Sequence, residues 1–316
     1  MAKTLTDMLG CRYPVLMAPM FLVSDENLML AGLENGVAAA FPAANYRSPE
    51  ALDRAMTELK SKTNKPFGVN IIANRSNPDF DTQLSACIKH RVDFVITSLG
   101  NPEIAINACH KAGIPVFCDV TDLKYAKKVV GMGADALIAV NKQAGGHPGL
   151  LPGDVLLTEL QNAFDLPVIY AGGIASHTDY QRVMKAGAAG VSVGTLFLAT
   201  KESPVSDAYK QAMVNNTAKD IVLTDKLSGA PLHVINTDYV KKTGTKANRL
   251  TCFLYRHKKL RRFLKGLAMK RGMKALEKAA FSASYKTVWV AGPAISNVHS
   301  IVSVKERVEQ IIGDKN

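Results

Sequence analysis

The sequence contains no CxxC pair, and its five cysteines are scattered at positions 11, 87, 109, 118 and 252. An odd, dispersed set supplies neither a zinc knuckle nor a disulfide framework. Reduced thiols in a cytoplasmic protein are the expectation that follows. Long apolar runs are also missing. The best candidate, Pro14 to Val23, carries Pro14 and Pro19 and falls far short of the roughly 20 residues a spanning helix needs. Asp7 and Arg12 precede it and no clean small-residue cleavage site follows, so neither a membrane span nor a targeting segment is expected. No low-complexity tract occurs. Acidic residues are absent between Arg256 and Lys274, where nine Lys or Arg stand, and the rest of the chain is close to charge balance. The formal net charge of +12 is therefore a local feature and not a whole-molecule signal for nucleic acid. Aromatic residues do not interleave the basic ones, which argues against a single-stranded nucleic acid groove.

What is present is a repeated alternation. Short apolar or β-branched runs stand at Val15–Ala18, Val37–Phe41, Phe67–Ile72, Phe94–Thr97, Pro115–Cys118, Ala136–Val140, Pro167–Tyr170 and Gly190–Val193, each followed by a helix-like stretch. Strict alternation implies a parallel sheet, and eight units suggest closure. The expected fold class is α/β, a (β/α)8 TIM barrel. A length of 316 residues suits one such barrel of roughly 200–250 residues plus an elaboration. Helix starts are marked by Ser48-Pro49-Glu50, Asn101-Pro102-Glu103, Thr121-Asp122, Ser176, and Ser303 with Glu306. Each offers a side-chain acceptor to the free N–H groups of a first turn, or a proline that has no N–H to lose there. The rhythm stops near residue 200. The expected organisation is a barrel over 1–215, a smaller helical lid over 216–290, and a C-terminal segment over 291–316 that returns to the barrel.

Barrels place their chemistry in the loops that follow the strands. After the seventh strand comes Ala171-Gly172-Gly173-Ile174, and after the eighth comes Val193-Gly194-Thr195 opening a helix. Glycine lets backbone approach a ligand closely, and free N–H groups at a helix start attract an anion. Their joint position points to a phosphate cradle, with plain tight turns as the other reading. After the sixth strand stands Gln143-Ala144-Gly145-Gly146-His147-Pro148-Gly149. An imidazole can take or give a proton near neutrality, so His147 is either a base or a residue that pins its loop. Ala18-Pro19-Met20 after the first strand suits one face of a flat ring, or terminates the strand. Asn70 and Asn74 can read a ring edge, since an amide both donates and accepts. Ser98, Asn101, Asp119, Asp122 and Lys124 are polar at matching places, with helix capping as the alternative role.

With these segments assembled, the chain resembles the nitronate monooxygenase family, also called the 2-nitropropane dioxygenase family, whose fold is shared by flavin-dependent enoyl-acyl-carrier-protein reductases and NADH:quinone reductases. The resemblance runs from Tyr13 to about Glu202 and returns near Gly292. It is carried by Ala144 to Gly149, by Ala171-Gly172-Gly173-Ile174, and by Gly190 to Thr195 with Phe197 and Glu202-Ser203. Ala18-Pro19-Met20 and Gly68-Val69-Asn70 add to it. Departures stand at Val140, Gln143 and Pro293.

The resemblance implies FMN. Ala18, Met20 and Asn70 would touch the ring, with Gly145 nearby, and Gly172, Gly173, Gly194 and Thr195 would hold the phosphate. Pro19, Ser98, Lys124, Gly146, Ala171 and Val193 complete the expected cofactor-binding set. His147 would be the catalytic residue facing a small-molecule substrate. The expected activity is oxidation of alkyl nitronates with oxygen. The alternative is an NAD(P)H-linked flavin reductase of quinones or enoyl thioesters. A monomer or homodimer with no metal is expected. Within 256–274, Leu260, Phe263, Leu264 and Leu267 share one helical face, as in a solvated amphipathic helix or a dock for an acidic partner.

Overall fold

A computed structural model describes residues 3–74, 77–226, 230–246 and 288–313. Eight parallel strands close into a barrel in simple chain order. They are β1 Val15–Met17, β2 Ala38–Pro42, β3 Phe67–Ile72, β4 Phe94–Ser98, β5 Val116–Val120, β6 Ala136–Val140, β7 Val168–Ala171 and β8 Gly190–Val193. Closure comes from β1 pairing with β8, with Leu16 opposite Ser192. The expected runs match these strands to within a residue or two at their ends. Pro66, Pro115 and Pro167 each sit just before a strand, where a missing N–H costs no ladder bond.

Side chains alternate between two environments along each strand. Val15 and Met17 join the large core between strands and helices. Leu16, Ala38, Ala40, Phe94, Ile96, Phe117, Ala136, Ile138, Ile169 and Ala171 form a second core, which is the barrel lumen. Phe94 and Phe117 stack there with ring centroids 5.1 Å apart. Gly68 makes this possible, because a Cβ at that position would overlap the Phe94 ring. Counting two residues onward from Gly68, Ile96 and Phe117 brings the same inward face to Asn70, Ser98 and Asp119. A polar layer therefore sits above the stacked phenylalanines, toward the strand ends that carry the loops.

The helix signals read as intended in most places. Ser48 accepts from Ala51 N, and Pro49 opens the helix Pro49–Lys62. Ser176 accepts from Asp179 N to cap the helix His177–Lys185, and Ser303 with Glu306 forms a capping box before Val304–Ile312. Asn101 differs: its Oδ1 accepts from Glu103 N at 3.0 Å, one residue ahead of a normal cap for the helix Glu103–Lys111. The C-terminal helix packs against Glu26–Glu34 and His177–Lys185, and the Ile311 carbonyl meets His177 Nδ1 at 3.1 Å.

Residues 216–290 require a correction. A smaller helical lid is expected there, but the described part holds an antiparallel two-stranded sheet of β9 Ile221–Thr224 and β10 Leu232–Ile235, followed by one short helix, Asp238–Thr243. The reason is physical. Both strands are only four residues long, and β10 is buried throughout, so its alternation is hidden. The basic segment 256–274 and Cys252 lie outside the described residues. The other four cysteines are free and buried. Among the described residues no helix is long and apolar enough to cross a membrane, and no cluster of metal-ligating side chains occurs.

Candidate active site

The loops after the strands surround one cavity of about 690 Å³ at that end of the barrel. Of the residues singled out for the site, Ala18, Pro19, Met20, Asn70, Ser98, Gly145, Gly146, His147, Ala171, Gly172, Gly173, Val193, Gly194 and Thr195 all line it. Lys124 does not. It lies one residue into the helix Leu123–Gly131 and is exposed, because helical geometry turns its stem outward while Asp122 caps that helix through Tyr125 N at 2.8 Å. Asn74 also stays off the cavity wall.

The glycine turn after β7 has a backbone that demands glycine. Gly172 has φ +112° and Gly173 +78°, where L side chains rarely go. A Cβ on Gly172 would sit 2.5 Å from Ala144 N, and one on Gly173 would overlap Gln143 Oε1. Asn141, fully buried, ties the two loops together. Its Nδ2 donates to the Gly172 carbonyl at 3.0 Å, and its Oδ1 accepts from Gln143 N at 2.7 Å. Sequence reasoning passed over Asn141, although a polar residue directly after an apolar strand is a usable signal.

Beside these turns, Ala18 N donates to the Val193 carbonyl at 2.9 Å, which sets the first loop against the start of Thr195–Leu198. Thr195 Oγ1 accepts from Gly292 N at 3.0 Å. That bond brings the segment 290–292 over the cavity, where Val290 and Ala291 join its wall. Leu22 and Leu99, both in left-handed backbone at φ +64° and +58°, line the same cavity. Strain of this kind persists only where surrounding structure enforces it.

His147 lines the cavity on the glycine-rich loop. The residue is exposed toward the cavity mouth, and partial loss of water around its ring lowers its pKa below the usual imidazole value. Across the lumen, Asn70 Nδ2 donates to Ser98 Oγ at 2.6 Å, and Ser98 Oγ donates to Asp119 Oδ2 at 2.5 Å. Burial pushes the Asp119 carboxyl up to about 6. Asp119 is thus no helix cap, unlike Asp122.

A family model for nitronate monooxygenase matches residues 74–314. The chain belongs to the nitronate monooxygenase family. It is an oxidoreductase. Within and around that family, a (3aS,4S,5R,7aS)-5-hydroxy-7a-methyl-1-oxo-octahydro-1H-indene-4-carboxyl-CoA dehydrogenase of Rhodococcus jostii is 34% identical over 236 residues, covering 75% of this chain and 66% of that protein. A nitronate monooxygenase of Paraburkholderia phytofirmans is 24% identical over 273 residues, covering 72% of this chain and 74% of that protein. Among solved structures, FabK from Thermotoga maritima superposes with a TM-score of 0.85 at 30% identity, covering 99% of this chain and 96% of that one.

In this member of the nitronate monooxygenase family, the loop that bears His147 is fastened from outside the barrel. His233, buried on β10, donates its backbone N–H to the Gly146 carbonyl at 2.9 Å, and its Nδ1 meets the Ala144 carbonyl at 2.8 Å. A carbonyl only accepts, so Nδ1 carries the proton. His233→Leu leaves the Ala144 carbonyl without that donor and should cost about 1–3 kcal/mol of stability. Amide exchange over residues 144–147 should rise with it. His233→Asn keeps a donor near the Nδ1 position and should restore most of the protection. Equal exchange in all three proteins would remove the fastening role.

Proposed function

We propose that this chain is an FMN-dependent oxidoreductase that oxidises alkyl nitronates with oxygen, with His147 as its acid–base group. One observation carries the reading: the same cavity is lined by His147, by the turn after β7 whose Gly172 and Gly173 exclude a Cβ, and by Gly194 and Thr195 after β8. These residues fit a phosphorylated flat ring. Gly172, Gly173, Gly194 and Thr195 would offer backbone N–H groups to the phosphate. Ala18, Pro19 and Met20 would cover one face of the ring, and Asn70 would meet its edge. Bound there, FMN would supply the electron acceptor and the route to oxygen.

The chain's own part is proton and charge management. His147, neutral because its pKa is depressed, can take a proton from the carbon beside a nitro group. Once charged, the imidazolium balances the nitronate anion. The apolar walls, including Ile72, Ile138, Val140 and Leu198, keep water from competing for that anion.

The pH dependence follows from the sign of the shift. A neutral base works above its pKa and fails as pH falls through it. For a nitroalkane supplied in its neutral form, kcat/KM should rise with pH and level off, with an apparent pKa below the ordinary imidazole value of about 6.5. A limb centred above that value would assign the proton transfer to another group.

A second reading is favoured by the 34% identity to a carboxyl-CoA dehydrogenase and by the likeness to FabK. It makes this chain an NAD(P)H-linked flavoprotein acting on acyl thioesters or quinones, with Leu232 and Val288 on the cavity wall beside the acceptor. The test begins with the visible spectrum of the purified protein. The yellow protein is then mixed anaerobically with NADH or with a nitronate. Bleaching by the nitronate alone supports the first reading. Rapid bleaching by NADH supports the second. A preparation that stays colourless after incubation with excess FMN refutes both.

A further inference from the structure

Among the described residues, Asp119 is the one carboxylate on the inward face of the barrel strands, and the proposed reaction has no use for it. It stands two residues beyond Phe117 on β5 and lines the cavity. No cation among the described residues pairs with it, and two influences act on its carboxyl: loss of water and the Ser98 hydroxyl. A carboxylate placed in such a lumen is costly unless its hydrogen bonds are used.

We propose that Asp119 is a positioning residue: through Ser98 it holds the Asn70 amide so that a carbonyl oxygen, and not an NH2 group, faces the ring edge of a bound flavin. This role rests on the FMN reading above.

The bonding directions enforce this arrangement. An ionised Asp119 carboxylate only accepts, and the Ser98 hydroxyl is its hydrogen-bond partner. Ser98 must spend its single hydrogen on Asp119 Oδ2, at 2.5 Å. The hydroxyl oxygen is then an acceptor for its other neighbour, and Asn70 Nδ2 occupies that position at 2.6 Å. The Ile96 carbonyl, also only an acceptor, lies 3.4 Å from the same Nδ2. Both amide hydrogens of Asn70 are directed into the barrel wall by independent partners. What remains for the cavity is Oδ1. An acceptor there suits the ring N–H that an isoalloxazine carries between its two carbonyl groups. It also sets the negative end of a dipole beside the ring and so opposes the arrival of electrons.

The order of the three residues is a consequence of the barrel. Asn70, Ser98 and Asp119 come from β3, β4 and β5, which are neighbours in sheet order, and each lies on the inward parity of its strand. No stretch of local sequence holds them together.

The test compares wild type, Asp119→Asn, Ser98→Ala and Ser98→Thr. Each is checked for folding by circular dichroism, then titrated with FMN and poised against a redox dye. Asp119→Asn removes the charge that fixes the Ser98 hydrogen and lets an NH2 group face Ser98, so that the chain can reverse and Asn70 turn around. Ser98→Ala cuts the chain while keeping the Asp119 charge. Both should weaken FMN binding by about tenfold or more, the scale of one misdirected hydrogen bond. Both should also raise the midpoint potential of the bound flavin. Ser98→Thr keeps the hydroxyl and should behave as wild type.

Wild-type affinity and potential in both Asp119→Asn and Ser98→Ala would overturn the proposal. So would a raised potential in Asp119→Asn with an unchanged Ser98→Ala protein, since that pattern is a bare charge effect with no relay. If Asp119→Asn fails to fold, the Ser98 pair decides alone. A wild-type protein that binds no FMN refutes the cofactor reading itself, and the relay with it.

Discussion

With a neutral nitroalkane as substrate, replacing His147 with alanine should lower kcat/KM by about 10²–10⁴-fold, the usual worth of a positioned acid–base group, while FMN affinity stays within a few-fold of wild type. The separation follows from the geometry. His147 sits on the loop after β6, whereas the glycine turns that exclude a Cβ belong to the loop after β7. Removing the imidazole leaves the backbone of Gly172 and Gly173 untouched. The loop itself should hold its path, because the His233 bonds reach Ala144 and Gly146 and not the His147 side chain. His147→Gln is the informative companion, since it fills similar space and hydrogen-bonds but does not titrate. If the glutamine protein turns over at the wild-type rate, the imidazole is a binding group and not a base. If alanine costs as much in FMN affinity as in turnover, the residue belongs to the cofactor site. The depressed pKa gives a further signature: the acidic limb of the pH profile should vanish in both variants.

Gly172→Ala should abolish detectable FMN binding, a loss of about 100-fold or more, and should also destabilise the protein. Two effects combine. The backbone at φ +112° is unfavourable for alanine, at a cost on the order of 1–3 kcal/mol. The new methyl would also meet Ala144 N at 2.5 Å and Asn141 Oδ1 at 2.7 Å. Neither neighbour is a flexible side-chain tip, because Asn141 is held at both ends of its amide. Relief requires the turn after β7 to move away from the loop after β6, and that movement opens the proposed phosphate cradle. Gly113→Ala is the control. Gly113 has φ +73° with nothing within 4 Å of an added Cβ, and it lies between Glu103–Lys111 and β5, away from the cavity. It should lose stability without losing FMN. Isothermal titration and thermal melting of the two proteins side by side separate the cradle from simple strain. Wild-type FMN affinity in Gly172→Ala would rule out the cradle.

Much of this arrangement was legible in the order of residue types. Eight apolar runs, each punctuated by proline, glycine or a capping residue, are enough to name a barrel and locate its strands, because period-2 burial and capping are local effects. That the glycine pairs and His147 stand on loops at the same end of the barrel was legible too. A left-handed turn needs glycine whatever the fold, and a barrel gathers the loops that follow its strands at one end. Lys124 shows the limit of this reasoning. Its distance along the chain from β5 is right, but the first turn of the helix carries its side chain away from the cavity. Asn141 and His233 show the opposite limit. Both bind backbone carbonyls of loops distant from them in sequence, Gly172 for one and Ala144 for the other, and such partners leave no local pattern.

By itself, then, the sequence determined the elements, their alternation, and which loops carry glycine and imidazole. Each of these depends on energies decided within a few residues. Only the tertiary structure decided that Asn70, Ser98 and Asp119 form one chain of hydrogen bonds, that β10 fastens the His147 loop, and that 290–292 closes over Thr195. Those contacts require strand parity around a closed barrel and the return of remote segments, which are fixed by packing and closure and not by the propensities of neighbouring residues.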